Sequence, residues 1–180
     1  MILKLLSHNI IQESEQAQKK EIVIRKFGEK GKTYPAWIIC ELTNCCNFLC
    51  PHCYKEARNQ GVFLEFEKFQ RMAFEFAGKV PNFVLTGGEA LIHPHINEIL
   101  KISTDNFETS LLTNGYLLNK IEIELLKRLR RIQISLYGYD DESYYHFTKI
   151  KNGFTEMKKS FQNLKKCSGL EMLLTLVLTK

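Results

Sequence analysis

The sequence has no apolar run long enough to cross a membrane, and it lacks the continuous hydrophobic segment of a secretory signal near its start. Polar residues interrupt the apolar stretch from Met1 to Ile11. We therefore expect a cytoplasmic protein with no membrane partner.

A strong excess of charge of one sign is also missing. The 25 Lys and Arg residues and 20 Asp and Glu residues leave a formal net charge of +5. Basic residues are dispersed, apart from a cluster at Lys127, Arg128, Arg130 and Arg131 that follows an amphipathic segment. Positive charge favours the end of a helix, so we interpret the cluster as solvated surface and expect no nucleic-acid partner.

The six cysteines are unevenly distributed, with five of them between positions 40 and 53. This crowding in a chain of 180 residues does not resemble the disulfide framework of a short secreted domain. Three of them, Cys46, Cys50 and Cys53, have the spacing C-x3-C-x2-C. Three thiolates can hold an iron-sulfur cluster, but they are one fewer than the four that usually bind a cubane cluster. One iron would then be open to a small molecule.

A structural zinc site is the alternative interpretation of these cysteines, with His52 or Cys45 as the fourth ligand. Zinc sites usually combine two C-x2-C or C-x2-H halves across a longer loop. The sequence has no second half, which favours the cluster. Cys40 lies in an apolar run and Cys167 lies at the end of a helical stretch, and both are predicted to be buried thiols.

The segment from Glu41 to Tyr54 resembles the cluster loop of radical S-adenosylmethionine (SAM) enzymes. It is most similar to their peptide-modifying branch, whose members often carry a further cysteine-rich domain called SPASM. Thr86-Gly87-Gly88-Glu89 resembles the second hallmark of the family, a Gly-Gly-Glu turn that receives the methionine amino group of SAM. Ala90 stands where the family commonly has Pro, which should loosen the turn more than it alters ligand contacts.

The resemblance implies that Cys46, Cys50 and Cys53 bind three irons of a four-iron four-sulfur cluster, with SAM on the fourth iron. Reductive cleavage of SAM would give a 5'-deoxyadenosyl radical that abstracts hydrogen from a substrate. Cofactor-binding roles are implied for five further residues: His52, Gly87, Gly88, Glu89 and Ser135. A hydroxyl satisfied inside the sheet is the alternative for Ser135. No catalytic acid or base is indicated.

The resemblance further implies that a peptide or protein is the substrate and that a low-potential donor such as flavodoxin or ferredoxin supplies electrons. Two alternatives stay open. One is a radical SAM enzyme of small-molecule or cofactor biosynthesis, and the other is a non-catalytic iron-sulfur or zinc binding module.

Short apolar runs alternate with segments of helical periodicity from residue 37 onward. This pattern predicts an α/β fold, a partial (β/α) barrel with a parallel sheet and outer helices. Strands are predicted at residues 37–43, 83–86, 109–113, 131–137 and 170–178, and helices around residues 66–76, 96–100, 118–129 and 154–164. Both motifs and Ser135 then fall at the carboxyl ends of strands, where ligands bind in such sheets.

Residues 1–34 do not follow this alternation and are predicted to form an N-terminal extension, with a strand from Glu21 to Lys26 and a turn from Gly28 to Gly31. Residues 35–180 are predicted to be the radical SAM core, which ends in or after its fifth strand. The family core usually has six strand-helix units, so we expect a fragment of a longer protein. An uncovered fifth strand, apolar on both faces, would favour association.

Overall fold

A single parallel sheet organises the computed structural model, which describes Ser7 and residues 26–176. Its strands are ordered as in the chain: β1 (Trp37–Glu41), β2 (Asn82–Thr86), β3 (Glu108–Thr113), β4 (Arg131–Leu136) and β5 (Glu171–Leu176). The helices are α1 (Phe66–Phe76), α2 (Ile96–Asn106), α3 (Ile123–Lys127), α4 (Asp141–Thr148) and α5 (Gly153–Leu164). Every neighbouring pair of strands is parallel, which confirms the predicted α/β sheet.

Alternation along each strand separates a core face from a site face, because successive side chains point to opposite sides of a sheet. On β4, Ile132, Ile134 and Leu136 are fully buried in the hydrophobic core. Gln133 and Ser135, at the intervening positions, line a cavity. The sheet therefore places polar side chains at the site and apolar ones beneath the helices.

The prediction of one continuous helix from Leu118 to Leu129 was wrong. A short 3-10 segment, Leu118–Lys120, is separated from α3 by extended backbone at Ile121 and Glu122. Leu118, Ile121 and Leu129 are buried, as they would be on one face of an unbroken helix, but Leu126 is fully buried where that helix would bury Leu125.

Helix α4 was not predicted from apolar periodicity, yet its first turn carries a clear signal. The Asp140 carboxylate accepts a hydrogen bond from the Ser143 backbone N–H at 2.8 Å, and the Ser143 hydroxyl accepts one from the Asp140 N–H at 3.2 Å. This reciprocal capping box satisfies backbone groups that the start of a helix leaves without partners.

The predictions for residues 1–34 can be compared with the structure only at Ser7 and residues 26–34. The Lys32 N–H donates to the Glu29 carbonyl at 3.1 Å, and both Gly28 and Gly31 have positive φ, which confirms the predicted turn. The strand predicted from Glu21 lies outside the described residues except for Lys26, and the domain boundary at residue 34 stays a prediction. None of the helices in the described part of the chain is long and apolar enough to span a membrane.

Strand β5 pairs with β4 along its full length, from Glu171 opposite Arg131 to Leu176 opposite Leu136. Within residues 26–176 it has no strand on its other side. Met172 is 45% exposed and Leu173 is 40% exposed, on opposite faces of the strand. This edge therefore presents the apolar surface that its sequence predicts.

Candidate functional site

The loop between β1 and α1 carries the three cysteines and folds back on itself. Its ends meet where the Leu64 N–H donates to the Leu42 carbonyl at 2.8 Å. Further along, the Cys46 N–H donates to the Arg58 carbonyl at 2.6 Å. We call residues 42–65 the cluster loop. These backbone bonds fix the path of the segment that presents the thiols.

All three predicted ligand cysteines line one cavity of about 380 Å³ at the carboxyl ends of the strands. Cys46 and Cys50 are buried, and Cys53 is half-buried. The cavity is also lined by four of the predicted cofactor residues, which are His52, Gly87, Gly88 and Ser135. Residues from β1, β2 and β4 regions, far apart in sequence, are therefore brought together.

Burial affects the protonation of two of the three thiols. Burial raises the pKa of Cys46 to about 11, against the opposing effect of the Phe48 N–H, which donates to its sulfur at 3.4 Å. Burial also raises the pKa of Cys50 to about 12, and the nearby Cys46 and Cys53 add to the rise. These thiols hold their protons at neutral pH unless a cation replaces them, so metal binding would release protons.

The thiols do not surround one point. Among the described residues, no group of three or more His, Cys, Asp or Glu side chains could share a single metal ion. A cubane cluster does not need such convergence, since each cysteine binds a different iron. Cys45 is buried, and it is absent from the residues that line the cavity.

The Gly-Gly-Glu turn packs directly against the cluster loop. The Gly88 N–H donates to the Thr43 carbonyl at 2.7 Å, and the Glu89 N–H donates to the Cys45 carbonyl at 2.8 Å. A Cβ atom on Gly88 would lie 2.1 Å from the Cys45 carbonyl oxygen, and one on Gly87 would lie 2.5 Å from that of Thr43. The resemblance implied a cofactor-binding role for these glycines, and the structure shows that they let two loops touch.

Glu89 lies beneath the cavity and is 1% exposed. Its Oε1 accepts from the Leu91 N–H at 3.0 Å and from the Thr113 hydroxyl at 2.7 Å, and its Oε2 accepts from the Asn114 N–H at 2.7 Å. Burial raises the pKa of this carboxyl group, against the effect of these three donors. The carboxylate accepts hydrogen bonds from neighbouring protein donors, and it is not part of the cavity lining. Its contact with the SAM amino group stays a prediction.

Ser135 and His52 contribute to different walls of the cavity. Ser135 lies on β4 beside Gln133, whose amide donates to the Thr175 hydroxyl at 3.0 Å. The exposed His52 ring lies 5.3 Å from the Tyr137 ring, measured between centroids. His52 thus makes an aromatic contact with the protein itself, and its cofactor-binding role remains a prediction.

Two features of the site were not predicted. The fully buried Phe48 ring packs edge-on against Tyr116, Tyr137 and Tyr144, at centroid distances of 5.7, 6.1 and 6.1 Å. Asn114, at the end of β3, contacts both the cluster loop and Glu89. The Asn114-Gly115 pair after an apolar strand was the only signal for the second feature.

His93 and His95 follow the Gly-Gly-Glu turn, on either side of Pro94. The His93 Nε2 lies 2.8 Å from the Leu64 carbonyl oxygen, and its Nδ1 accepts from the His95 N–H at 3.1 Å. Both ring nitrogens of His93 thus have protein partners, and burial lowers its pKa. His93 fastens the end of the cluster loop to the start of α2.

Residues 40–179 match the family model described as the Radical SAM superfamily. The chain belongs to the radical SAM superfamily. It is 31% identical over 170 residues to the antilisterial bacteriocin subtilosin biosynthesis protein AlbA of Bacillus subtilis (strain 168), covering 91% of this chain and 38% of that protein. It is 27% identical over 157 residues to the GTP 3',8-cyclase of Chlorobaculum tepidum, covering 84% and 46%. This radical SAM chain therefore spans less than half the length of these relatives.

Solved structures show the same fold. The crystal structure of Streptococcus suis SuiB bound to precursor peptide SuiA matches with a TM-score of 0.65 at 18% identity, over 82% of this chain and 34% of that one. Native anSMEcpe with bound AdoMet and Kp18Cys peptide matches with a TM-score of 0.60 at 16% identity, over 77% and 42%. The likeness of these radical SAM structures confirms the predicted partial (β/α) barrel.

Proposed function

We propose that this protein binds a four-iron four-sulfur cluster through Cys46, Cys50 and Cys53, and that it cleaves SAM reductively to modify a peptide or protein. The observation that carries the proposal is the shared cavity, because three thiols and the Gly-Gly pair line the same space. A bound cluster, once reduced by an electron donor, would supply the electron that breaks a sulfur–carbon bond of SAM, giving methionine and a 5'-deoxyadenosyl radical.

The residues of the chain would hold and orient these groups. The three cysteines offer sulfur, each to a separate iron. The Gly-Gly turn presses the cluster loop against β2, which fixes the wall of the cavity next to the thiols. Ser135 offers a hydroxyl on another wall, and His52 with Tyr137 offers an aromatic surface for a base. Phe48 and its aromatic neighbours exclude water behind the thiols.

The proposal of a peptide or protein substrate is supported by proteins similar to this chain. AlbA is named for the biosynthesis of a bacteriocin, and both SuiB and anSMEcpe were crystallised with peptides. A small-molecule substrate is the second candidate, because GTP 3',8-cyclases are also among the relatives. A low-potential electron donor and a cytoplasmic location belong to the proposal.

Anaerobic reconstitution with iron and sulfide tests the cluster and the chemistry together. We expect wild-type protein, after dithionite reduction, to convert SAM to 5'-deoxyadenosine. Cys46→Ala should lose this activity, while Cys167→Ala, which removes a buried thiol outside the cavity, should keep it. Zinc without sulfide in the purified protein, together with no 5'-deoxyadenosine from iron-loaded protein, would refute the enzyme and favour a binding module.

Substrate class is tested on the reconstituted protein with two kinds of additive. A precursor peptide should increase SAM cleavage above the level without substrate, and GTP should not. Stimulation by GTP alone would favour the small-molecule candidate.

A further inference from the structure

Asn114 joins the two halves of the site. Its backbone N–H donates to Glu89 Oε2 at 2.7 Å, beneath the Gly-Gly-Glu turn. Its side-chain Nδ2 donates to Asn47 Oδ1 at 2.8 Å and lies 3.9 Å from the sulfur of Cys46. Asn114 is 6% exposed and lines the cavity, so its amide contacts the cluster loop in a place with little water.

The orientation of the Asn114 amide is fixed by a third bond. Its Oδ1 accepts from the Tyr116 backbone N–H at 3.1 Å, so the oxygen faces Tyr116 and the nitrogen faces Cys46. An amide nitrogen carries two hydrogens, which is enough for Asn47 Oδ1 and the Cys46 sulfur together. The flipped amide would place its NH2 group against the Tyr116 N–H.

We propose that Asn114 is a positioning residue that raises the reduction potential of the cluster by donating to the Cys46 sulfur. The inference rests on the proposed function, because it requires Cys46 to be a cluster ligand. Reduction adds negative charge to the cluster and its thiolates, and a hydrogen bond to a ligand sulfur stabilises that charge. The Phe48 N–H, at 3.4 Å, donates to the same sulfur from the backbone and remains in every Asn114 variant.

The test uses two variants of Asn114, of which Asn114→Asp keeps the shape of the side chain. In Asn114→Asp, an oxygen faces Cys46 and Asn47, so the donor is lost and negative charge is placed near the thiolate. Asn106→Asp is the matched control, because that half-buried amide donates to the Ile102 carbonyl at 2.8 Å, at the opposite end of the sheet. Asn114→Ala removes the donor without adding charge.

We expect redox titration followed by electron paramagnetic resonance to give a more negative midpoint potential for Asn114→Ala and the most negative for Asn114→Asp. Asn106→Asp should match the wild type. An unchanged potential in both Asn114 variants, with the cluster fully loaded, would overturn the inference and leave the proposed function standing. Failure of the wild-type protein to load a cluster would overturn both.

A second measurement needs no cluster. In the apoprotein, the unfolding midpoints of Asn47→Ala, Asn114→Ala and the double variant test the 2.8 Å bond between the two amides. The decrease in unfolding midpoint of the double variant should be smaller than the sum of the decreases of the two single variants. Additive losses would show that Asn114 does not hold the cluster loop, and would overturn its positioning role.

Discussion

The two ends of the sheet are held together by different interactions. At the carboxyl ends, the buried Glu89 carboxylate accepts three hydrogen bonds from β3 and from its own turn. At the amino ends, ion pairs join neighbouring elements, between Arg130 and Glu108 and between Arg131 and Glu171. The basic cluster that we interpreted as solvated surface supplies these arginines.

The two kinds of interaction differ in how much they contribute to the stability of the fold. Buried donors left without acceptors each cost about 1–3 kcal/mol, whereas an exposed ion pair contributes only about 0–1 kcal/mol. Substitutions at the carboxyl ends should therefore disturb the fold and the site together. Substitutions at the amino ends should disturb neither very much.

The largest effect is expected for Glu89→Ala. Removing the carboxylate leaves the Leu91 N–H, the Thr113 hydroxyl and the Asn114 N–H without their acceptor, so we expect a loss of about 3 kcal/mol or more in the free energy of unfolding. Urea denaturation of the apoprotein measures it. Glu98→Ala, an exposed glutamate on α2, is the control, and an equal loss in both variants would remove the contrast between the two ends.

Gly88→Ala should come next. The added Cβ would lie 2.1 Å from the Cys45 carbonyl oxygen, so one of the two loops must move, at a cost of about 1–3 kcal/mol. Gly78→Ala is the comparison for backbone strain without a clash, because its positive φ strains any side chain while no atom lies within 4 Å of the added Cβ, and its iron loading should match the wild type. The midpoint temperature of thermal unfolding and the iron content after reconstitution should both be lower for Gly88→Ala than for the wild type. Normal iron loading in this variant would show that the turn does not position the cluster loop.

The buried His93 side chain should make the stability of the folded protein depend on pH. Burial lowers its pKa in the folded protein, so the unfolded chain binds the proton more readily. Stability should therefore be fully present above the ordinary histidine pKa of about 6.5 and fall as the pH drops below it, by no more than about 1.4 kcal/mol for each pH unit. Thermal unfolding between pH 7.5 and 5.5 should show a weaker pH dependence in His93→Gln than in the wild type.

Arg130→Ala should have the smallest effect. Its guanidinium pairs with Glu108 at the exposed amino end of the sheet, and such pairs contribute about 0.5 kcal/mol or less. Urea denaturation in low and high salt measures the loss and its screening. A loss as large as that of Gly88→Ala would show that the amino ends are held as strictly as the carboxyl ends.

Most of the strands could be predicted because their signals are local. Short apolar runs marked all five, and the rule for parallel sheets correctly placed the cysteines and Gly87 at one end. The split at Ile121 could not be read from periodicity, since both the helix and the broken form place apolar residues toward the core.

The contacts that shape the site were less accessible to prediction because their partners are distant in the chain. Asn114 and Asn47 are 67 residues apart, and no local pattern indicates that their amides meet. The close approach of Gly88 to Cys45 likewise depends on the register between β1 and β2. Only the folded structure shows that the Gly-Gly pair packs against the carbonyl groups of Thr43 and Cys45.

The strand order has a consequence for synthesis on the ribosome. Within residues 26–176, each strand after the first pairs with the one made just before it, so each of these strands finds that partner already available. The cluster loop is an exception, because the Leu49 N–H donates to the Thr148 carbonyl at the end of α4, at 3.0 Å. A nascent chain can therefore align its first strands early, while the loop that carries the thiols is secured only after residue 148 has emerged.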